Sequence, residues 1–245
     1  MDLVHHIYSL MLDGRLFLAP IGDHPQRVLD LGTGTGIWAI DFAETPPNCV
    51  FEVDDFEAEW LYHTPFDFIH ARELEGCIGD DERFQQALQH LAPGGYIELQ
   101  AVDAPFLSDD GTVQKAVNAQ LWLKTLCEGS AKFGKLIDCA PSWKAKLAAA
   151  GFVEIHEEVR KMPLGMWPKD PKLKEIGRFQ PIQEAKAIES YTPQIFSSVL
   201  EWSQEEILVF MAKVKNEIKD PSIHLYLPVH FVWGRKPLTE GEPAP

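Results

Sequence analysis

Positive charge is scarce in this chain. It sets 22 lysines and arginines against 37 acidic residues, a formal net charge of −15 over 245 residues. Such a surface repels phosphate backbones and anionic lipid heads, which excludes nucleic acid and membrane as direct partners. Most of these carboxylates serve solubility alone. Cysteine is sparse as well. Cys49, Cys77, Cys127 and Cys139 lie far apart, with no Cys-x-x-Cys and no tight Cys/His group. That spacing argues against zinc and for a reducing compartment. No apolar run approaches the length of a membrane span. The opening MDLVHHIYSLMLDGR lacks a basic stretch ahead of an unbroken apolar core, so it does not read as a signal peptide. An intracellular location is expected, cytoplasmic or nuclear. Repeats and low-complexity segments are missing too. What remains is ordinary globular composition, 45% hydrophobic and 24% charged, at a length that suits an α/β domain without disulfide staples.

Periodicity divides the chain into alternating elements. Leu3, Ile7, Leu10 and Met11 predict a short amphipathic helix over 3–12, ended by Asp13-Gly14. RVLDLG (27–32) reads as a buried strand entering a tight turn, and GIWAIDFAE (36–44) as a helix stopped by Pro46-Pro47. CVFEVDD (49–55), FDFIHA (66–71), YIELQ (96–100) and FVEIHEEV (152–159) read as strands, the third entered by a turn at Pro93-Gly94-Gly95. Helices are expected over 81–91, 112–128 and 142–150, and over 169–200 with interruptions at Pro181 and Pro193. Ser203 to Glu206 resembles a capping box opening a helix to about Lys219. A long strand pattern at 223–236 follows, and 237–245 reads as a flexible tail. Strands alternating with helices mean a mostly parallel sheet covered on both faces. Ligands then sit beyond the carboxyl ends of the strands, near Gly32–Gly36, Asp54–Phe56, Ala71–Glu73 and Gln100–Asp103.

The segment Asp30-Leu31-Gly32-Thr33-Gly34-Thr35-Gly36 selects a ligand class. A glycine-rich turn between strand and helix lets a ligand approach the backbone, and its amides favour a negative group. The dinucleotide pattern G-x-G-x-x-G fails, because its last glycine would fall on Ile37. That argues against an NAD-dependent oxidoreductase. A Walker loop is excluded by the lack of Gly-Lys-Ser/Thr. Asp30, two residues ahead of the first glycine, can accept a hydrogen bond from a ligand ammonium. S-adenosylmethionine carries both that ammonium and a carboxylate for the loop amides. A tight turn chosen only for packing is the bland alternative.

Several motifs in order carry a family resemblance: VLDLGTGTGIWAIDFAE, PPNCVFEVDDFEAEW, FDFIHARELEG, LAPGGYIELQ and DDGT. Over roughly residues 2–160 the chain resembles the fungal class I methyltransferases of the LaeA-like type, related to regulators of secondary metabolism. The resemblance implies a Rossmann-like class I sheet and S-adenosyl-L-methionine as cofactor. It implies that Asp30, Gly32, Thr33, Gly34 and Gly36 hold the methionine end. Asp54, Asp55 and Phe56 match the segment beside the adenine, and Ala71 and Arg72 the strand end passing the cofactor's middle. Residues 1–20 resemble part of an N-terminal lid helix, and 160–220 the position of a substrate cap, within one domain spanning 1–236. Two departures are visible. Family members carry a strand between the first helix and the PPNC segment, ending in an acid for the ribose hydroxyls. Here Glu44 runs almost directly into Thr45-Pro46-Pro47-Asn48-Cys49, so about one strand and its loop are missing. Most of the family's N-terminal extension is absent too. Spacing gives a rival to the motif match: Asp54 lies 18 positions after Gly36, where a ribose-binding acid is expected, so 50–54 would be the second strand rather than the third.

No catalytic base is assigned. Methyl transfer needs little beyond alignment of nucleophile and methyl group. Of nine histidines, His5 and His6 sit on adjacent positions and cannot share a helix face, while His70 falls near the cofactor edge. Asp54-Asp55 lacks a third ligand at metal-binding spacing. Met162, Met166, Trp167 and Phe179 are candidates for an apolar acceptor pocket. The expected function is methylation of a small molecule, a fungal secondary metabolite. The alternative is a weak or inactive relative acting as a regulatory module with a protein partner.

Overall fold

The computed structural model describes residues 3–43 and 49–238. Helix α1 (Leu3–Met11) leads to strand β1 (Val28–Leu31) and helix α2 (Ile37–Ala43). Strand β2 (Phe66–Arg72), helix α3 (Glu82–His90) and strand β3 (Leu91–Val102) follow. Helices α4 (Val117–Ala131) and α5 (Trp143–Ala150) precede strand β4 (Val153–Pro163). The long helix α6 (Pro171–Leu200), helix α7 (Gln204–Lys219) and strand β5 (Tyr226–Arg235) complete the chain. The sheet runs β1-β2-β3-β5-β4. β1, β2 and β3 are parallel, whereas β5 runs antiparallel to β3 and to β4. This is the α/β sheet with flanking helices that the alternating pattern predicts.

Strand alternation gives the sheet two unlike faces. Ile69, Ala71, Ile97, Leu99 and Val232 turn one way and bury against Phe84 of α3 and Trp143 and Leu147 of α5. The opposite face carries Phe68, His70, Glu98 and Gln100, also buried, and faces α1 and α2. Buried polar groups must be paired, so this second face concentrates hydrogen bonds. A separate apolar cluster of Trp122, Ile188, Phe196, Phe210 and Val214 joins α4, α6 and α7 around Phe106 and Leu225. It lies beyond the carboxyl end of β3 and makes a helical cap.

Local signals explain most boundaries. Ser203 accepts from Glu206 N–H while the Glu206 carboxylate accepts from Ser203 N–H at 2.8 Å, the expected capping box. Asp170 accepts from Leu173 N–H at 2.8 Å and Pro171 takes the first turn of α6. Pro181 and Pro193 do not interrupt this helix, contrary to the reading of 169–200; packing against α1, α4, α7 and β4 offsets the two missing amide bonds. Pro93-Gly94-Gly95 is not a turn but part of β3, bonded along the end of β5 through Gly94 N–H to Lys236 O and Lys236 N–H to Gly95 O.

The largest correction concerns CVFEVDD. Residues 49–55 form no strand; Val50 is 83% exposed and Val53 fully so. An inner strand of a doubly covered sheet is apolar on both sides. Glu52 and Asp54 put charge on one side of this segment and Asp55 on the other, so alternation alone does not place it beside β1. Among the described residues no strand lies between α2 and β2, and β1 is therefore an edge strand. The helix stop read at Pro46-Pro47 lies outside the described residues, as does the tail from Thr239 onward.

Candidate active site

β1 ends in Asp30 and Leu31, and the chain then turns into α2 through three glycines with positive φ. The turn is closed by Gly36 N–H donating to Thr33 O at 2.9 Å, and α2 starts with Ile40 N–H to Gly36 O at 3.0 Å. At Gly32 (φ +66°) a Cβ would stand 2.6 Å from Leu74 Cδ2, so only glycine lets the loop after β2 close against this turn. Gly34 (φ +55°) is different: a Cβ there would meet only Gly32 O at 3.8 Å, and the residue borders open space. Thr33 Oγ1 is buried with no hydrogen-bond partner.

The polar face of the sheet supports the turn. His70 Nδ1 lies 2.7 Å from Asp30 Oδ1. A carboxylate only accepts, so Nδ1 carries the proton. Burial holds the His70 pKa below its ordinary value against the pull of Asp30, so the ring is neutral, with its lone pair on an unpartnered Nε2. The ring stacks on Trp38 of α2 at 3.7 Å between centroids. Glu98 Oε2 accepts from Leu18 N–H at 2.7 Å and Ala19 N–H at 2.5 Å, and its Oε1 accepts from Gln100 Nε2 at 2.7 Å. The segment after α1 is thereby fastened to the sheet. Arg72 donates through Nε to Gln100 Oε1 at 2.9 Å and stacks over the Tyr8 ring at 4.6 Å. His5 bridges Arg72 Nη1 at 3.3 Å and Asp41 Oδ2 at 2.9 Å.

The sequence-predicted residues divide into two groups. Asp30, Gly32, Thr33, Gly34, Asp54, Asp55 and Phe56 line one cleft of about 1640 Å³. Gly36 lies beside it, covered by Phe51, whose Cε1 would be 2.6 Å from a Cβ there. Ala71 and Arg72 are not brought to the cleft. Ala71 is buried in the sheet, paired with Leu31 and Leu99, and Arg72 turns towards α1. The cleft exceeds an ordinary ligand pocket of roughly 300–1,000 Å³, because the side beyond β1 is bounded by the irregular segment 49–56 rather than by a strand. The proposed apolar quartet does not assemble. Met162 and Phe179 pack with α1, Trp167 donates to Leu225 O at 3.1 Å, and Met166 is exposed.

Sequence reasoning passed over Trp38, Glu98 and Glu75, and it placed Glu73 and Asp103 near the ligand at the strand ends without giving them a role. Glu73 accepts from the Tyr8 hydroxyl, and burial raises the pKa of Glu73 and Glu75. Asp103, at the end of β3 and 3.9 Å from His230, is pushed up to about 6, chiefly by burial. Composition gave no sign of these groups, because burial is not visible in a chain rich in acids.

The residues present fit S-adenosylmethionine. Gly34 leaves an open cradle at the backbone, the orphaned Thr33 hydroxyl stands beside it, and Asp30 offers a carboxylate to an ammonium. Comparison with known proteins agrees. A family model described as "Methyltransferase domain" matches residues 3–157. The "Methyltransferase pytC" of Aspergillus terreus is 35% identical, with 97% of this chain and 80% of the relative covered. The "Secondary metabolism regulator LAE1" of Cochliobolus heterostrophus is 30% identical over 97% of this chain and 86% of the relative. The first match runs over 258 positions although 97% of 245 residues is about 238, so roughly 20 positions of the relative have no counterpart here. That surplus is the size of a strand with its connections. Among solved structures, the [4+2]-cyclase SpnF shares the fold, with a TM-score of 0.53 at 18% identity, covering 95% of this chain and 81% of that one. The chain belongs to the methyltransferase-domain family.

Proposed function

We propose that the protein methylates a small organic molecule of fungal secondary metabolism, with Asp30, Gly32, Thr33, Gly34, Gly36, Asp54, Asp55 and Phe56 as the cofactor-binding set. The observation that carries this reading is the convergence of Asp30, the glycine turn and 54–56 on one cleft. Bound there, S-adenosylmethionine supplies an electrophilic methyl group. The chain's own part is to bind and align. Asp30 accepts from the cofactor's ammonium, and His70, neutral and stacked on Trp38, holds that carboxylate in place. The amides of 32–36 and the Thr33 hydroxyl face the carboxylate. Asp54 and Asp55 serve the ribose and Phe56 the adenine. Arg72 acts at one remove, holding α1 over the site through Tyr8 and His5, which supports residues 1–20 as a lid. The α4–α6–α7 cluster supports a substrate cap over 160–220.

Calorimetric titration with S-adenosylhomocysteine tests the reading. Micromolar binding is expected. A cooperatively folded protein that binds none at millimolar ligand would sink it. The similarity to a secondary metabolism regulator favours one further role, recognition of a regulatory protein partner. Co-purification from a fungal lysate with the cofactor site intact and with Asp30→Asn would separate that role from catalysis.

A further inference from the structure

The outer edge of β1 is open, and the cleft runs along it. Arg27 O accepts from Asp67 N–H at 2.8 Å and from Phe68 N–H at 3.4 Å. With Val28 level with Phe68, the backbone groups of Leu29 and Leu31 turn towards β2. Those of Val28 and Asp30 turn outward, and among the described residues they meet no hydrogen-bond partner. Their N–H and C=O groups thus line about 13 Å of edge, a template for another strand. The edge lies between two apolar walls. Val28 packs on the side of Trp38 and Phe42, and Leu29 and Leu31 on the side of Trp60 and Tyr62. All four aromatic residues line the cleft beside β1. The cleft, about 1640 Å³, reaches from Ile21–Gln26 at the amino end of β1 to the glycine turn at its carboxyl end. A cofactor at the turn needs roughly 300–1,000 Å³ of it. What is left runs beside β1, with aromatic side chains to either face.

The chemistry of this slot selects its occupant. A strand buried on both faces is apolar on both. The chain's own segment 49–55 does not meet that condition, since pairing would turn Glu52 and Asp54 into one wall and Asp55 into the other. A second copy brings another net charge of −15 and is repelled. The rim is acidic: Asp23 stands ahead of β1, and Asp41, Glu52 and Asp54 line the cleft beside it. An apolar extended segment with cationic ends complements both the walls and the rim. We propose that the open edge of β1 is a docking site for an extended segment of a partner protein, apolar at its centre and flanked by lysine or arginine, which joins the five-stranded sheet as one further strand. Its backbone pairs with Val28 and Asp30, its central side chains lie between the aromatic walls, and its flanking cations meet Asp23 and Glu52. Only the backbone of Asp30 is shared with the cofactor-binding set, so the site stands whether or not the cleft holds S-adenosylmethionine.

The probe is a synthetic peptide, Lys-Thr-Val-Ile-Val-Thr-Lys, with blocked ends and a fluorescent label. Fluorescence anisotropy with the full chain should show micromolar binding that weakens with salt. The same peptide with its core amides N-methylated keeps every side chain but loses its donors, and should bind about tenfold more weakly. A peptide with glutamate in place of both lysines should also bind more weakly. In the protein, Val28→Pro removes the outward N–H and leaves the bonds of Leu29 and Leu31 to β2 in place, and should lower affinity several-fold. Glu52→Lys, on the exposed rim, should do the same and reads the site if Val28→Pro folds poorly. Hydrogen exchange at the Val28 and Asp30 amides should be fast in the free protein and slowed by the peptide. Equal binding of the N-methylated peptide would overturn the assignment. So would amides already protected in a free monomer, which would mean that the chain covers its own edge, or protected only in a concentration-dependent dimer, which would mean that a second copy does. Displacement of the peptide by S-adenosylhomocysteine would place it in the cofactor's site and overturn the assignment as well. A protein that binds the peptide but not S-adenosylhomocysteine would count against the methyltransferase reading and leave the docking edge standing.

Discussion

Replacing Glu184 by Gln should stabilise the protein at alkaline pH and leave it unchanged in acid. Glu184 is 7% exposed on the inner side of α6, with Gln180 Nε2 3.2 Å from its carboxylate. Burial pushes its pKa from 4.5 up to about 7, with a smaller contribution from Glu73. A carboxyl group whose folded pKa is raised favours the folded state below its unfolded pKa, and that advantage is lost as pH rises through the folded value. The window here is therefore pH 4.5 to 7. At 1.36 kcal/mol per unit, the shift corresponds to about 3 kcal/mol of lost stability above pH 7. Glutamine keeps the shape and an oxygen to accept from Gln180, but never ionises. Glu73, Glu75, Glu98 and Asp103 titrate in the same direction, so the difference between variant and parent is the quantity to follow. Urea unfolding at pH 4 and pH 8 reads it. The difference should be near zero at pH 4 and reach about 3 kcal/mol in favour of Glu184→Gln at pH 8. A difference that stays constant across this range would show that Glu184 ionises as it does in water, and would remove the argument that α6 desolvates it.

Three further predictions concern the cleft and its cap. Asp30→Asn removes the charged partner of His70 and of the cofactor ammonium; S-adenosylhomocysteine affinity should fall about tenfold or more by calorimetry, with circular dichroism unchanged. Gly34→Ala meets no packing clash, so thermal unfolding should show a loss of only about 1 kcal/mol from its positive φ, while the new methyl group, projecting into the cleft, should abolish cofactor binding. Trp122→Ala empties the centre of the α4–α6–α7 cluster and strips Thr192 of the indole N–H at 2.8 Å; chemical denaturation should show a loss of about 3–5 kcal/mol, and a loss under 1 kcal/mol would mean that the cap is loosely packed.

How much of this was legible in the chain follows from how local each signal is. β1, β2 and β4 were readable as short apolar or alternating runs closed by turn residues, and α7 from a capping box whose two bonds link residues three apart. The glycine turn was readable because positive φ at consecutive glycines is a property of the turn itself. CVFEVDD failed because a strand also needs an edge to pair with and two apolar faces, neither of which its own alternation supplies. Pro181 and Pro193 failed in the opposite sense: the local signal for a break is genuine, and packing of α6 on four other elements outweighs it. The partnership of Asp30 with His70 joins residues 40 apart, and that of Tyr8, Glu73 and Glu184 spans most of the chain. Their chemistry depends on desolvation, which no local pattern records. The acidic composition reads as a solvated surface, and it conceals the few carboxylates that are buried.

Segment 49–56 links the departure in sequence to the way the site must work. In a sheet with a strand outside β1, the acid facing the ribose would be held by backbone pairing before the ligand arrived. Here Asp54 and Asp55 sit on irregular chain whose anchors are Phe51 on Gly36, Cys49 Sγ donating to Ala39 O at 3.4 Å, and Trp60 Nε1 donating to Phe56 O at 2.9 Å. These contacts fix the two ends of the segment and leave its acids exposed. Fixing backbone costs about 1–2 kcal/mol per residue. A cofactor that orders even two residues of this segment loses a corresponding share of its binding energy. In the proposed mode the methionine end would meet a preformed turn, whereas the ribose end would have to order its own wall. On the proposed binding mode, affinity would therefore rest chiefly on Asp30 and the glycine turn, and the cost of lacking a strand outside β1 would fall on cofactor retention while the buried sheet behind Asp30 stays intact.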